Sequence, residues 1–151
     1  MLWSVIVLGT MLLATATPYP TYFAGAQFVH VLLASLFDLP GEVVRSLASK
    51  SVTAPVAMGI AERIGGVPAL AAVFAVLTGL VGALSAKYLF NGLGIASWAV
   101  RGFALGTTSH GIGAARALQV HDDAGAYAGI ALGLQVLLAS LMIPLLFRWL
   151  A

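Results

Sequence analysis

The sequence predicts an all-α integral membrane protein, a bundle of about six transmembrane segments of which two are interrupted as broken or re-entrant helices. Composition is the first reason: 61% of the 151 residues are hydrophobic and only 8% are charged, whereas soluble domains carry about 25% charged residues. The second reason is that several apolar runs approach the roughly 20 residues that span a bilayer. Helices are expected because an open sheet would leave backbone groups unpaired in lipid.

Composition also limits the organisation and the partners of the chain. Its length suits one transmembrane domain over residues 1–151, with the lipid bilayer as its surroundings. The chain has no cysteine, which excludes disulfides and thiol chemistry. Its net charge is only +2 and it contains no basic run, so nucleic acid is not an expected partner.

Residues 2–17 and 21–39 are the first two predicted spans. No basic residue precedes the first apolar run, which favours a membrane helix over a cleaved signal peptide. Pro18 and Pro20 end that run, because proline removes a backbone donor and disfavours helix before it. The second span carries His30, for which two interpretations stay open: a helix-packing residue or a cavity-lining group.

Residues 41–50 are predicted to form an amphipathic helix at the membrane interface. Glu42, Arg45 and Lys50 lie among apolar residues there, a pattern typical of helices that lie in the plane of the interface.

Residues 51–59 form the first predicted interruption. The segment is short, Pro55 frees a backbone carbonyl, and Gly59 allows close approach of another backbone. Two interpretations stay open: a proline-kinked packing helix, or a break at which Ser51 and Thr53 bind a ligand.

Residues 68–90 form the clearest predicted span, with Pro68 in the first turn, where proline is tolerated. Small residues at 79–83, and again at 128–133, predict faces for close helix contact or for assembly of several copies of the chain.

Residues 106–116 form the second predicted interruption. Hydroxyls, a histidine, glycines and an arginine stand here between apolar runs at 97–106 and 114–120. An apolar membrane helix has no need of them, whereas a break that lines a polar cavity does. A polar loop at 121–123 then leads into the last predicted span, residues 124–150.

Charge asymmetry predicts that both termini are cytoplasmic, provided that all six segments cross. Arg63 and the loop at 121–123 then fall outside, as the positive-inside rule requires. A re-entrant segment would break this count for the elements after it. The basic residues assigned to the cytoplasmic side are Arg45, Lys50, Lys87, Arg101 and Arg148.

Two blocks of the chain resemble the LrgB family. The family's KSVTTPIAM…IGGIP block is similar to KSVTAPVAMGI at residues 50–60 and IGGVP at residues 64–68. Its RGFALGTASHGIGTARA block is similar to RGFALGTTSHGIGAARA at residues 101–117. The blocks agree in order and spacing, and the resemblance implies a single LrgB-like transmembrane domain in the bacterial inner membrane.

The resemblance also implies partners and substrates. LrgB family members are described as acting with an LrgA or CidA partner in a holin/antiholin-like system that affects murein hydrolase export and autolysis. A plastid relative is a glycolate/glycerate transporter, and bacterial relatives are linked to pyruvate. The family's PATVALAVP-like stretch has no counterpart between residues 22–33 and 37–49, and Ala54, Thr108 and Ala114 depart from its usual residues. With such losses, the chain is expected to need an LrgA/CidA-like partner or further copies of itself, or else to be inactive as a transporter.

The favoured functional hypothesis is a transporter of small carboxylates, without catalytic residue, metal or cofactor. A broken helix exposes a positive dipole end that attracts anions, His110 exchanges a proton near neutral pH, and Arg116 suits bidentate contact with a carboxylate. The predicted substrate-binding residues are Ser51, Thr53, Thr107, Thr108, Ser109, His110, Gly111, Gly113 and Arg116.

Alternatives to this hypothesis come from the same residues. His110 fixes helix packing if it bonds to the Ser51 region instead of to a ligand. A hydrolase is disfavoured because Ser109 and His110 are adjacent and do not face each other on a helix, and the histidines lack metal-ligand spacing. The second function class is a holin/antiholin-like regulator of murein hydrolase export and autolysis that acts with its partner and transports nothing.

Overall fold

The fold is taken from a computed structural model, which describes Ala34 and residues 37–150. The regular elements of that part of the chain are all helices, with no strand among them, so the predicted all-α class is confirmed there. The predicted span at residues 2–17, and the one at 21–39 apart from Ala34 and residues 37–39, lie outside the described residues, as does His30. The helices are α1 (Gly41–Ala48), α2 (Ala54–Arg63), α3 (Pro68–Gly92), α4 (Trp98–Val120) and α5 (Asp122–Leu150).

Helices α3 and α5 are the two described helices that are long and apolar enough to cross a membrane. Their mean hydropathies are 2.2 and 2.3, and α3 has 25 residues. At 1.5 Å per residue α3 is about 37 Å long, which exceeds the roughly 30 Å of a hydrocarbon core. Leu84 and Leu137 on these helices are 75% and 70% exposed, as expected of side chains that face lipid.

Helix α4 consists of two helical halves that lie side by side. His110 has φ 42° and ψ −135°, outside the helical region. Trp98 and His121, at the two ends of α4, stack with ring centroids 4.9 Å apart. A straight helix of this length would hold them roughly 35 Å apart. The chain therefore reverses at His110, and residues 98–121 are called the second hairpin.

Helices α1 and α2 form a corresponding first hairpin, residues 41–67. The Val67 N–H donates to Ser46 Oγ at 2.8 Å, and Ser49 Oγ donates to the Ala57 carbonyl at 3.1 Å. These contacts join the chain before the turn at residues 49–53 to the chain after it, so the two short helices run back along each other.

The two hairpins enter from opposite ends of α3 and α5. Arg45 and Arg63, at the open end of the first hairpin, share a cavity with Arg148 at the end of α5. The open end of the second hairpin lies at the other end of the bundle, where Arg101 and Asn91 line a second cavity. Each unit is a hairpin followed by a long helix, and the two units run in opposite directions.

Small residues allow the second hairpin to pack closely on α5. A Cβ added at Gly102 would meet the Ala124 carbonyl oxygen, and one at Gly106 would meet that of Ala128. The glycines and the alanines share a four-residue spacing, which brings two helix backbones together along one face. The sequence places these four residues where any larger side chain would push the helices apart.

The charge count behind the predicted orientation is corrected by this arrangement. It assigned Arg101 and the loop at 121–123 to opposite sides, but α4 doubles back and Trp98 stacks on His121. It also separated Arg63 from Arg148, although both line the same cavity. Because basic residues gather at both ends of the bundle, their count no longer favours cytoplasmic termini.

Candidate functional site

The tips of the two hairpins, residues 49–53 and 109–111, meet inside the bundle. A Cβ added at Gly111 would lie 4.0 Å from Thr53 Cγ2. The His110 ring reaches Ala75 and Gly79, which lie close to the middle of the 25-residue helix α3. The two tips therefore meet at about half the length of a membrane-spanning helix.

His110 occupies the second tip and is only 3% exposed. Its Nε2 lies 2.7 Å from the Ala75 carbonyl oxygen; with Nε2 as the donor, Nδ1 is left as an acceptor. A Cβ added at Gly79 would lie 2.8 Å from His110 Cε1, so the imidazole fits because residue 79 has no side chain. The packing alternative expected the ring to bond near Ser51, and its partner is instead a carbonyl of α3.

The predicted hydroxyl donors of the second tip are fully buried and bonded within α4. Thr107 Oγ1 donates to the Phe103 carbonyl, and Thr108 Oγ1 donates to that of Ala104 at 2.8 Å. Ser109 Oγ lies 3.3 Å from Thr108 Oγ1. In this conformation the threonine protons are committed to the helix, and their oxygens keep acceptor capacity.

Ser51 and Thr53 lie at the first tip, facing the second. Ser51 is 4% exposed, and its Oγ accepts a hydrogen bond from Lys50 Nζ at 3.0 Å. Thr53 immediately precedes α2 and caps it without a side-chain hydrogen bond. The structure thus brings Thr53 to Gly111 of the second tip, and Ser51 lies in the same first tip, bonded to Lys50.

Lys50 is the residue of the site that sequence interpretation missed. It was assigned to an interfacial helix, but α1 ends at Ala48 and Lys50 is 0% exposed. The amphipathic pattern was extended through a turn in which the chain leaves the surface. One feature of the sequence could have singled out Lys50: it stands next to a predicted helix break and far from any acidic residue, eight residues from Glu42 and twelve from Glu62.

Gly113 and Arg116 have positions away from the contact between the tips. A Cβ added at Gly113 would lie 2.6 Å from the Leu105 carbonyl oxygen, so this glycine lets the halves of α4 approach each other. Arg116 is exposed, and its Nη1 donates to Gln119 Oε1 at 3.5 Å. The structure does not bring Arg116 to His110.

Arg116 lines a cavity of about 470 Å³ at the open end of the second hairpin, together with Lys87 and Arg101. Arg101 is held by Nε donation to the Ile95 carbonyl at 2.6 Å and lies 4.9 Å from the Trp98 ring centroid. No carboxylate is among the residues that line this cavity. It is a basic chamber that opens at one end of the bundle.

A comparison of the sequence with protein families identifies the family of the chain. The model of the LrgB-like family matches residues 29–149. The chain belongs to the LrgB-like family. The predicted resemblance is confirmed, and membership supports a membrane protein of the LrgB/CidB type. No solved structure matches the chain.

Curated relatives match over most of this chain. YwbG of Bacillus subtilis is 32% identical over 118 residues, which is 78% of this chain and 52% of the relative. The holin-like protein CidB of Staphylococcus epidermidis is 30% identical over 111 residues, 74% of this chain and 48% of the relative. A Haemophilus influenzae protein is 32% identical over 117 residues, 78% and 51%. The chain spans about half the length of the curated relatives it matches.

Proposed function

We propose that this LrgB-family protein carries a small carboxylate, of the glycolate, glycerate or pyruvate class, across the membrane. The observation that carries the proposal is the meeting of two oppositely directed hairpin tips halfway along α3. Many transporters are built from inverted repeats and bind substrate near the bilayer midplane, between discontinuous helices. Non-helical backbone at that depth is tolerated where it lines protein or a water-filled cavity, so the hairpins are taken as re-entrant.

The ends of the half-helices suit an anion. Helix α2 begins at Ala54 and the second half of α4 begins after His110, so both N-termini point to the contact between the tips. Helix N-termini carry free N–H groups and a partial positive charge. A carboxylate placed between Thr53 and Gly111 meets both of them.

The other predicted site residues differ in how directly they act on the anion. Ser51 and His110 contact the anion, and His110 Nδ1 takes up or releases the proton that accompanies it. Thr107, Thr108, Ser109 and Gly113 hold the tip in shape. Arg116, in the basic cavity, concentrates anions at one mouth of the pathway. The residues that have a role in the proposed transport are Ser51, Thr53, Thr107, Thr108, Ser109, His110, Gly111, Gly113 and Arg116.

Uptake of labelled glycolate, glycerate and pyruvate into proteoliposomes tests the proposal. Wild-type protein is expected to give saturable uptake, and His110→Ala to reduce it about a hundredfold or more, the lower end of the range for loss of one proton-transfer group. Gly129→Ala is the matched control, because a Cβ at residue 129 meets nothing within 4 Å. Well-folded wild-type protein that takes up none of the three anions, alone or with an LrgA/CidA-like partner, contradicts the proposal.

A second candidate function is holin/antiholin-like regulation of murein hydrolase export and autolysis. It is favoured by the 30% identity to the holin-like protein CidB. The regulator acts through an assembly with an LrgA/CidA-like partner and has no use for a substrate site. Partner-dependent lysis that is unchanged by His110→Ala, together with absent uptake, supports this function over transport.

A further inference from the structure

We propose that the transported anion binds to Lys50 in its ammonium form, and that this single positive charge selects monocarboxylates over dicarboxylates. The inference rests on the proposed function and names the chemical group that holds the substrate. It concerns a residue that the substrate-site predictions did not include.

The burial of Lys50 is the first step. Its side chain is 0% exposed and is the largest fully buried side chain among the described residues. Lysine is almost never fully buried unless it is paired with an opposite charge. A lysine in this position therefore calls for a partner.

The chain itself supplies no counter-charge from its side chains. All five of its acidic residues lie in the part of the chain that the structure describes, and within that part they pair with His121, through Asp123, and not with Lys50. They are Asp38, Glu42, Glu62, Asp122 and Asp123. A buried lysine without a counter-charge either carries an uncompensated charge, which is strongly destabilising, or loses its proton. An anion from outside that binds beside Lys50 therefore stabilises the charged form.

The hydrogen bonding of Lys50 leaves donors for that anion. An ammonium has three donors. Within the described residues, Lys50 Nζ donates one hydrogen bond, to Ser51 Oγ at 3.0 Å. The other two are available to carboxylate oxygens. Lys50 belongs to the first tip, which approaches the second where a Cβ added at Gly111 would lie 4.0 Å from Thr53 Cγ2, so an anion at Lys50 lies beside the contact between the two tips.

Charge balance sets the selectivity. One lysine neutralises one carboxylate, whereas a dicarboxylate brings a second negative charge into the same buried site. The second charge is left uncompensated unless it is protonated, which weakens binding by at least about tenfold. Glycolate and malonate form a suitable pair of probes, because malonate carries a second carboxylate where glycolate has its hydroxyl group.

Lysine counts make the experiment selective, because Lys50 and Lys87 are the two lysines of the chain. In a Lys87→Arg background, biosynthetic labelling of lysine with ¹³C at Cε gives one side-chain NMR signal, from Lys50. Glycolate is expected to shift this signal saturably and malonate to need at least about ten times the concentration. Glycolate binding measured by calorimetry is expected to weaken about 30-fold or more in Lys50→Met, the lower range for removal of one partner of a buried charge pair.

The outcomes separate the inference from the proposed function. If glycolate is taken up but leaves the Lys50 signal unmoved, and Lys50→Met binds it as tightly as the reference, the inference is overturned and transport stands. If glycolate moves the Lys50 signal but is never transported, the inference stands and transport fails. Without anions, Lys50→Met is expected to melt at a higher temperature than the reference, because an apolar side chain of similar volume removes the unpaired charge; a lower melting temperature also speaks against the inference.

Discussion

The two hairpin tips share an architecture and differ in chemistry. At the first tip, Lys50 is buried with a single hydrogen bond to Ser51, so charge and donors remain to be filled. At the second tip, Thr108 and His110 are already bonded to the carbonyls of Ala104 and Ala75. Under the proposed function, this difference gives the first tip the role of recognising the anion, whereas the second tip supplies a shaped surface against which the anion is held.

The largest effect is expected where the second hairpin packs on α5, because the position of the second tip depends on that packing. Gly106→Ala adds a Cβ that meets the Ala128 carbonyl oxygen, and overpacking of this kind costs about 1–3 kcal/mol. Gly129→Ala adds the same methyl where nothing lies within 4 Å, and is expected to be neutral or stabilising in a helix. Reversible unfolding in mixed micelles measures both variants; equal stability of the two contradicts the close packing of the hairpin on α5.

Hydroxyl deletions sharpen the comparison with a smaller effect. Ser51→Ala removes the one hydrogen bond that orients Lys50 and is expected to weaken glycolate binding by about three- to tenfold, the value of one ordinary hydrogen bond. Thr108→Val removes a hydroxyl that bonds within its own helix, and interhelical or local bonds of this kind in membranes average about 0.6 kcal/mol. Calorimetric titration is therefore expected to give Ser51→Ala a lower affinity for glycolate than Thr108→Val. A lower affinity of Thr108→Val would instead assign anion recognition to the second tip.

Much of the scaffold is predictable from the sequence. The spans predicted at residues 68–90 and 124–150 agree with α3 and α5 to within two residues at each end, because length and apolar content decide whether a helix can cross lipid. The predicted interruption at residues 106–116 contains the second tip. The one at residues 51–59 overlaps the first tip only at residues 51–53, because Pro55 lies in the first turn of α2 and does not break it. How the segments lie in a bilayer stays a prediction.

The folding back of the chain was not predictable in the same way. The reversal at His110 is stabilised by contacts between distant residues, such as Trp98 with His121 and Gly102 with Ala124, which no local pattern encodes. Arg116 follows His110 by six residues, and the helix carries it roughly 9 Å away from the tip, towards the open end of the hairpin. Lys50 was misplaced because an amphipathic pattern assigns any lysine to the surface.

Sided labelling of single cysteines tests the opposed hairpins most directly, since the chain has no cysteine of its own. Gly41→Cys, Gly92→Cys and Asp123→Cys place a thiol at exposed positions, at the open end of the first hairpin, the end of α3 and the start of α5. A membrane-impermeant maleimide is expected to label residues 92 and 123 from the same side of sealed vesicles and residue 41 from the other side. Labelling of residues 92 and 123 from opposite sides would show that α4 crosses the membrane, and would contradict the meeting of two re-entrant tips.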